Sequence, residues 1–218
     1  MTPRVVVFDL GGVVVNLNFT FEGACKTAGV PVRDTGRVDD PTHDRMRWQL
    51  YDAHQKGLIP CEDMFALLSL ASNGLYSASE WSRIFRAIVR DDHPGIADLI
   101  DELNGRGLIT ACLSNTNVAH VAPLLGEPCD IIPYSDAISR MQHHGLSQEM
   151  GEAKPGQRIY AQFERTIGAT GDELIFFDDR FDNVLAARRR GWRAEWIDHD
   201  QPTEPQVRAW LRHHGIDV

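Results

Sequence analysis

The chain has 218 residues, 22 basic and 31 acidic, giving a formal net charge of −9, with 43% hydrophobic and 24% charged side chains. That length buries one core, with room for a smaller insertion. The acidic balance excludes the broad basic footprint of a nucleic-acid binder but not a small anionic ligand held by local groups, and no apolar run approaches the roughly 18–20 residues of a membrane span.

The first element is the continuous apolar run Arg4–Asp9 (RVVVFD), which suits a strand buried on both faces of a parallel sheet. The stretch Val5–Val15 is interrupted by Asp9 and lacks a cleavage-like flank, so no signal peptide is expected. From about residue 17 to residue 92 the patterns are helical, near Phe19–Ala28, Thr42–Gln55, Cys61–Ala71 and Ser79–Val89. Ser77 and Glu80 have capping-box spacing. No strand run stands out, so this part reads as an all-helical insertion whose helices Trp48 and Trp81 pack.

Strand and helix then alternate. A helix is predicted over Pro94–Gly105, a strand over Leu108–Ser114 (LITACLS) and a surface loop with a short helix over Ser135–Ala153. A helix over Pro155–Gly168 follows, then a strand over Glu173–Asp178 (ELIFFD) and a helix over Phe181–Gly191. Arg188–Arg190 at the end of that helix complement its dipole. A strand over Arg193–Asp198 and a helix over Thr203–Gly215, opened by a Thr-x-x-Gln box, complete the chain. Such alternation predicts an α/β fold with a parallel sheet. His143-His144 and His213-His214 are adjacent pairs without metal-grip spacing, so they are expected at the surface. Cys25, Cys61, Cys112 and Cys129 form no C-x-x-C pair and read as free thiols of a reducing cytoplasm.

Open parallel sheets bind ligands at the carboxyl ends of their strands. Asp9 ends the first run in FDLGGVV, Ser114 the second in LSNTN, and Asp178-Asp179 the third in FFDDRFDN. Lys154 stands before a helix in GEAKPGQRIY. Each has an ordinary alternative: Asp9 as a turn acid, Ser114 as a helix cap, Lys154 as a surface cation. Two adjacent carboxylates at the end of an apolar strand repel each other unless a cation compensates. Together they form a toolkit for phosphate and a metal.

In order and spacing, these four segments resemble the four motifs of the haloacid dehalogenase-like hydrolase superfamily. FDLGGVVVNL, LSNTN, KPGQRIY and FFDDRFDNV, with YDAHQKGLI and LSQEMGEAKP, are similar to the subgroup that contains bacterial α-glucose-1-phosphate phosphatase. The resemblance implies a doubly wound α/β core over residues 1–16 and 93–218, with a helical cap over 17–92 inserted after the first strand. It implies a Mg²⁺-dependent phosphatase of a small phosphorylated metabolite, with Asp9 forming an aspartyl-phosphate. Asp9, the Gly11 carbonyl and Asp179 would hold Mg²⁺, with Asp178 bound directly or through water. Lys154 would draw Asp9 and the phosphoryl oxygens together, and Ser114 would donate to a phosphoryl oxygen. Asn115 and the backbone amides after Asp9 would add donors, and Asn183 would fix Asp178 or Lys154. His54 is the first residue of the cap expected to meet substrate.

One position departs from the pattern. Most phosphatases of the superfamily carry, two residues after the nucleophile, an Asp that protonates the leaving group; here Gly11 stands there. Acid–base help of that kind is worth about 10²–10⁴-fold. Three readings follow: a leaving group that needs less help, a substitute among His54, Asp52, Glu149 and Glu152, or a site that binds a phosphorylated ligand with little turnover. A metal-independent 2-haloacid dehalogenase also lacks the second Asp, but the Asp178-Asp179 pair argues against it.

Overall fold

The computed structural model describes residues 3–33 and 41–218. In chain order the elements are β1 (Val5–Phe8), β2 (Val15–Leu17), α1 (Phe21–Ala28), α2 (Pro41–Gln55), α3 (Cys61–Ala71), α4 (Ala78–Arg86), β3 (Val89–Asp92), α5 (Ile96–Gly105) and β4 (Ile109–Ser114). They continue with α6 (Val118–Leu124), α7 (Asp136–Arg140), β5 (His143–Leu146), α8 (Ser147–Met150), α9 (Gln157–Ile167), β6 (Leu174–Asp178), α10 (Phe181–Arg188), β7 (Arg193–Trp196) and α11 (Thr203–His213).

Five strands form a parallel sheet in the order β5-β4-β1-β6-β7. The period-2 geometry of a strand sends alternate side chains to opposite faces, and here both faces are covered. Val6, Phe8, Cys112, Ile175 and Phe177 join the core packed by α5, α6, α7 and α11. Val5, Val7, Leu113, Leu174 and Phe176 join the core packed by α9 and α10. This two-sided burial is why the three central strands read as unbroken apolar runs. It is also the doubly wound α/β architecture expected from the sequence. Helices α1, α3 and α4 bury Ala24, Cys25, Met64, Leu68, Trp81 and Phe85 in a third core of their own. The Ser77–Glu80 capping box starts α4 as expected.

Register sets the chemistry. Phe8 pairs with Cys112 on one side and Phe177 on the other, and the Asp9 amide donates to the Phe177 carbonyl at 2.8 Å. Asp9 therefore lies level with Asp178, one residue beyond those pairs.

Several elements differ from expectation. The stretch around residues 17–92 contains strand after all. β2 and β3 form an antiparallel ribbon, Val15 opposite Asp92 and Leu17 opposite Val89, where the chain leaves and re-enters the sheet layer. The ribbon is only three or four residues long and includes Asn16, Arg90 and Asp91, so it leaves no periodic signature. The predicted loop over Ser135–Ala153 supplies the edge strand β5, whose sequence HHGL lacks an apolar run; His143 is exposed as expected, but His144 is half-buried with Nε2 3.0 Å from the Ile138 carbonyl. The Thr203-x-x-Gln206 box does not form. Thr203 lies inside the helix and its hydroxyl donates to the Val13 carbonyl at 2.9 Å. Trp81 is buried and donates to Ser72, but Trp48 is 70% exposed and packs no helix interior. Arg188 and Arg190 pair with Glu195 and Glu164. The four cysteines are free, and burial pushes the Cys112 thiol up to about 12. No helix among the described residues is long and apolar enough to cross a membrane.

Candidate active site

The carboxyl ends of β1, β4 and β6 meet the start of the α9 segment at one point. One carboxylate oxygen from each of Asp9, Asp178 and Asp179 falls within 4.8 Å of the others. The Lys154 ammonium, fully buried, lies 3.0 Å from Asp9 Oδ1 and 2.7 Å from Asp178 Oδ2. Three carboxylates against one ammonium leave a formal charge of −2 in a largely desolvated place.

The charges respond accordingly. Burial is the largest influence on Asp178 and raises its pKa, with Asp9 adding to the rise and Lys154 opposing it; the carboxyl is pushed up to about 7. Asp179 is likewise raised by burial and by Asp9. Burial works against the charge of Lys154, but the carboxylates of Asp178 and Asp9 outweigh it and the net shift is upward. The ammonium stays charged, and Asp178 and Asp179 are held above their ordinary range by burial first and by the neighbouring Asp9 charge.

Hydrogen bonds give each acid a different availability. Asp9 Oδ1 takes the Leu10 amide at 2.7 Å as well as Lys154, while no donor among the described residues is bonded to Oδ2. Asp178 is saturated: Oδ1 accepts from the Arg180 amide and Asn183 Nδ2, and Oδ2 from Lys154 and the same Asn183 amide. Asn183 thus fixes Asp178, one of its two expected tasks. Asp179 Oδ2 accepts from His199 Nδ1 at 3.0 Å, and His199 stacks on Phe19 with ring centroids 4.2 Å apart.

The donor set suits a hard divalent cation. Two observations test the fit. Asn183 Oδ1 is buried with no partner, an acceptor waiting beside the acids for a water or an ion's hydration shell. Gly12, at φ +76°, has no Cβ, and a Cβ there would lie 2.5 Å from Asp179 Oδ2. The bare backbone at residue 12 is what lets Asp179 approach. The residues present therefore fit Mg²⁺.

Two cavities meet at this point. One of about 390 Å³ is walled by Asp9, Ser114, Asp179, Asn183, Phe19 and Gln55. A second, of about 220 Å³, shares Gly11, Leu17, Gln55, Ser114 and Asn115 with it and runs on towards Tyr51, Phe85 and His120. Asp9, Gly11, Ser114, Asp179 and Asn183 thus converge at one opening.

Other expectations are corrected. Asn115 does not point a free amide at the cavity. Its Nδ2 donates to the Lys154 carbonyl and its Oδ1 accepts from the Lys154 amide, both at 2.8 Å. It clamps the backbone that carries the ammonium. Of the amides after Asp9, that of Leu10 is taken by Asp9 itself and that of Gly12 by the Val15 carbonyl. His54 is buried against Phe65 and Phe85 with Nε2 3.2 Å from Cys61 Sγ, and desolvation lowers its pKa. One residue along a helix is a turn of about 100°, so the neighbour Gln55 faces the cavity instead. Asp52 pairs with Lys56, Glu152 pairs with Arg158, and Glu149 is exposed; none of the three lines either cavity. Sequence reasoning missed Gly12, Gln55, His199 and also Ser147. The fully buried Ser147 hydroxyl bonds the Gln55 carbonyl at 2.6 Å and accepts from the Thr116 amide at 2.9 Å, tying α2 to the loop after β4.

The chain resembles known proteins over nearly its whole length. The haloacid dehalogenase-like hydrolase family model matches residues 3–191. Phosphatase MT3486 of Mycobacterium tuberculosis is 25% identical over 216 residues, 95% of this chain and 93% of that protein. The wild-type HAD family enzyme bt-2542 of Bacteroides thetaiotaomicron, solved with magnesium and inorganic phosphate, superposes with a TM-score of 0.75 at 21% identity, over 94% of this chain and all of that one. L-2-haloacid dehalogenase of Xanthobacter autotrophicus gives a TM-score of 0.61 at 16% identity, over 96% of this chain and 82% of that one.

Proposed function

The chain belongs to the haloacid dehalogenase-like hydrolases, and from that premise we propose that it is a Mg²⁺-dependent phosphatase of a small phosphorylated metabolite. The observation that carries this reading is the buried Lys154 ammonium bridging Asp9 and Asp178 beside Asp179. The phosphatase relative and the neighbour holding magnesium and phosphate support it.

Asp9 Oδ1 is held by the Leu10 amide and Lys154, which leaves Oδ2 to attack phosphorus. The new Oδ2–P bond forms as the ester P–O bond breaks, giving an aspartyl-phosphate and a released alkoxide that takes its proton from water. Water then attacks phosphorus and returns the Asp9 carboxylate. Mg²⁺, when bound, neutralises phosphoryl charge that would otherwise repel an anionic nucleophile. Asp9, Asp179 and the Gly11 carbonyl would hold it, with the saturated Asp178 acting through water. Lys154 keeps its proton and supplies a fixed positive charge to the phosphoryl oxygens. Ser114, buried at the wall of both cavities, donates to one of them. Residues 17–92 act as a cap, with Phe19, Tyr51 and Gln55 closing the site from above and excluding water. A 2-haloacid would bring its own carboxylate against three acids, so the dehalogenase reading is disfavoured.

The test is phosphate release from a panel of phosphate monoesters with and without Mg²⁺. Metal-dependent release that Asp9→Asn abolishes is expected. Halide release from 2-haloacids in excess chelator, or ligand binding with no turnover of any ester, would overturn the reading in favour of a dehalogenase or a binding protein.

A further inference from the structure

The cavity beyond Gly11 has a chemical character of its own. Leu10, Leu17, Phe85, Ile88, Val89 and Leu124 give its wall a large apolar part. Of its polar side chains, those of Asn115, Asn117 and His120 are spent on the protein, which leaves Gln55 and the hydroxyls of Tyr51, Ser114 and Thr116 at the wall. Both ends of the Asn115 amide are bonded to Lys154. Asn117 Oδ1 accepts from the His120 amide, and its Nδ2 faces His120 Nδ1 at 3.3 Å. His120 Nε2 donates to the Phe85 carbonyl at 2.8 Å. Burial lowers the His120 pKa to about 4, so the ring is neutral with both nitrogens engaged and has no proton to give. A hexose placed here would lose water from several hydroxyls and find few partners, a penalty that polar substrates cannot offset.

Gly11 is one of the five residues that the two cavities share. A Cβ at residue 11 would lie 2.9 Å from Leu17 Cδ1, so the bare glycine leaves that side chain its place in the cavity wall. The same glycine removes the acid that would protonate a departing alkoxide. An alcohol as basic as water, with a pKa near 16, needs that acid, whereas a phenol, with a pKa of about 10, departs without it.

We infer that the substrate class is a phosphate monoester of a small aromatic alcohol, its ring seated in the apolar cavity past Gly11 and its phosphoryl group over Asp9. This rests on the phosphatase reading and narrows it. The phenolate leaves as the Asp9–phosphorus bond forms and is protonated by water, so no proton donor is required of the protein. A cavity of about 150 Å³ takes a benzene ring, and the 220 Å³ here has room for a fused or substituted one.

Two measurements test it, both with Mg²⁺ present. The first compares kcat/KM for phenyl phosphate, 2-naphthyl phosphate and acetyl phosphate, the last a small acyl phosphate whose carboxylate leaving group is less demanding still. Phenol and 2-naphthol are similar acids, so a naphthyl advantage reports the cavity and not the chemistry. At least about tenfold over phenyl is expected from the added apolar area, and Ile88→Asn should bring that ratio close to one. The second is the affinity of non-hydrolysable phosphonates. The 2-naphthylmethyl compound should bind at least about tenfold more tightly than methylphosphonate, and the analogue of glucose 1-phosphate no more tightly than methylphosphonate. A naphthyl-to-phenyl ratio near one in the parent protein, a ratio unmoved by Ile88→Asn, or tighter binding of the sugar analogue overturns the inference and leaves the phosphatase reading standing. Absence of turnover of every ester, acetyl phosphate included, overturns the phosphatase reading, and the phosphonate affinities still decide what the cavity takes.

Discussion

Replacing Lys154 by Met keeps the length of the side chain and removes the charge between two buried acids. At the effective dielectric of about 20 that suits such sites, contacts of 3.0 Å to Asp9 and 2.7 Å to Asp178 correspond to gross attractions of ~5.5 and ~6 kcal/mol. Desolvation of the ions offsets much of this, and breaking a buried pair costs about 3–5 kcal/mol net because the partner acid is left uncompensated. Asp178 would then keep Asn183 and the Arg180 amide as donors but face Asp9 without a cation between them. Lys154→Met should therefore lower the unfolding free energy by about 3–5 kcal/mol in chelator, with a substantial part returned by millimolar Mg²⁺. Urea unfolding followed by circular dichroism, with and without the metal, measures both. Turnover should fall at least about 100-fold even with metal, since a fixed positive charge at the phosphoryl group is lost. A variant as stable as the parent in chelator, or one that magnesium does not help, would refute the reasoning that this ammonium and a cation offset the repulsion between the acids.

Three further outcomes follow from named contacts. Gly12→Ala puts a Cβ 2.5 Å from Asp179 Oδ2 on a backbone at φ +76°, so the rise in melting temperature on adding Mg²⁺ should shrink or vanish; an unchanged rise would mean Asp179 does not serve the metal. Asn115→Ala cuts both bonds to the Lys154 backbone, and kcat should fall by about tenfold or more, with loss of fold stability limited to about 1–3 kcal/mol; unaltered kcat would free Lys154 from this clamp. His120 is neutral in the folded state with its pKa lowered to about 4, whereas the unfolded chain protonates near 6.5, so the unfolded state gains protons first as pH falls. Its contribution to stability is whole above pH 6.5 and is lost between there and about pH 4, up to about 3 kcal/mol in all. His120→Asn should flatten the pH dependence of the urea midpoint in that window, and an unchanged slope would contradict the assignment.

The sheet was legible because β1, β4 and β6 are buried on both faces, and a strand with no solvent side has no reason to alternate. The chemistry at their ends was legible for the same reason: Asp9, Ser114 and Asp178 are the first polar residues after each run, where parallel strands release the chain. The edge strand β5 carries two histidines and a glycine, so its pairing with β4 is a consequence of tertiary register and not of its own pattern. The β2–β3 ribbon is hidden by its brevity. Side-chain tasks at the site were less legible than positions. Asn115 looked like a ligand donor because it follows Ser114, yet the next loop supplies both its partners. His54 was expected to meet substrate for its chemistry, but helical phase, fixed by the packing of Phe65 and Phe85, turns the imidazole inward and leaves Gln55 at the cavity. His199 lies 20 residues beyond Asp179, and only the parallel return of β7 beside β6 brings it back to that carboxylate.

In the proposed reaction Asp9 carries the phosphoryl group. The most direct measurement is the mass of the protein and of its Asp9-containing peptide after a brief reaction with 2-naphthyl phosphate and Mg²⁺, quenched in acid. An added phosphoryl group is expected on that peptide, labile to hydroxylamine and absent from Asp9→Asn. Steady release of phosphate with no adduct on Asp9, undiminished in Asp9→Asn, would contradict it.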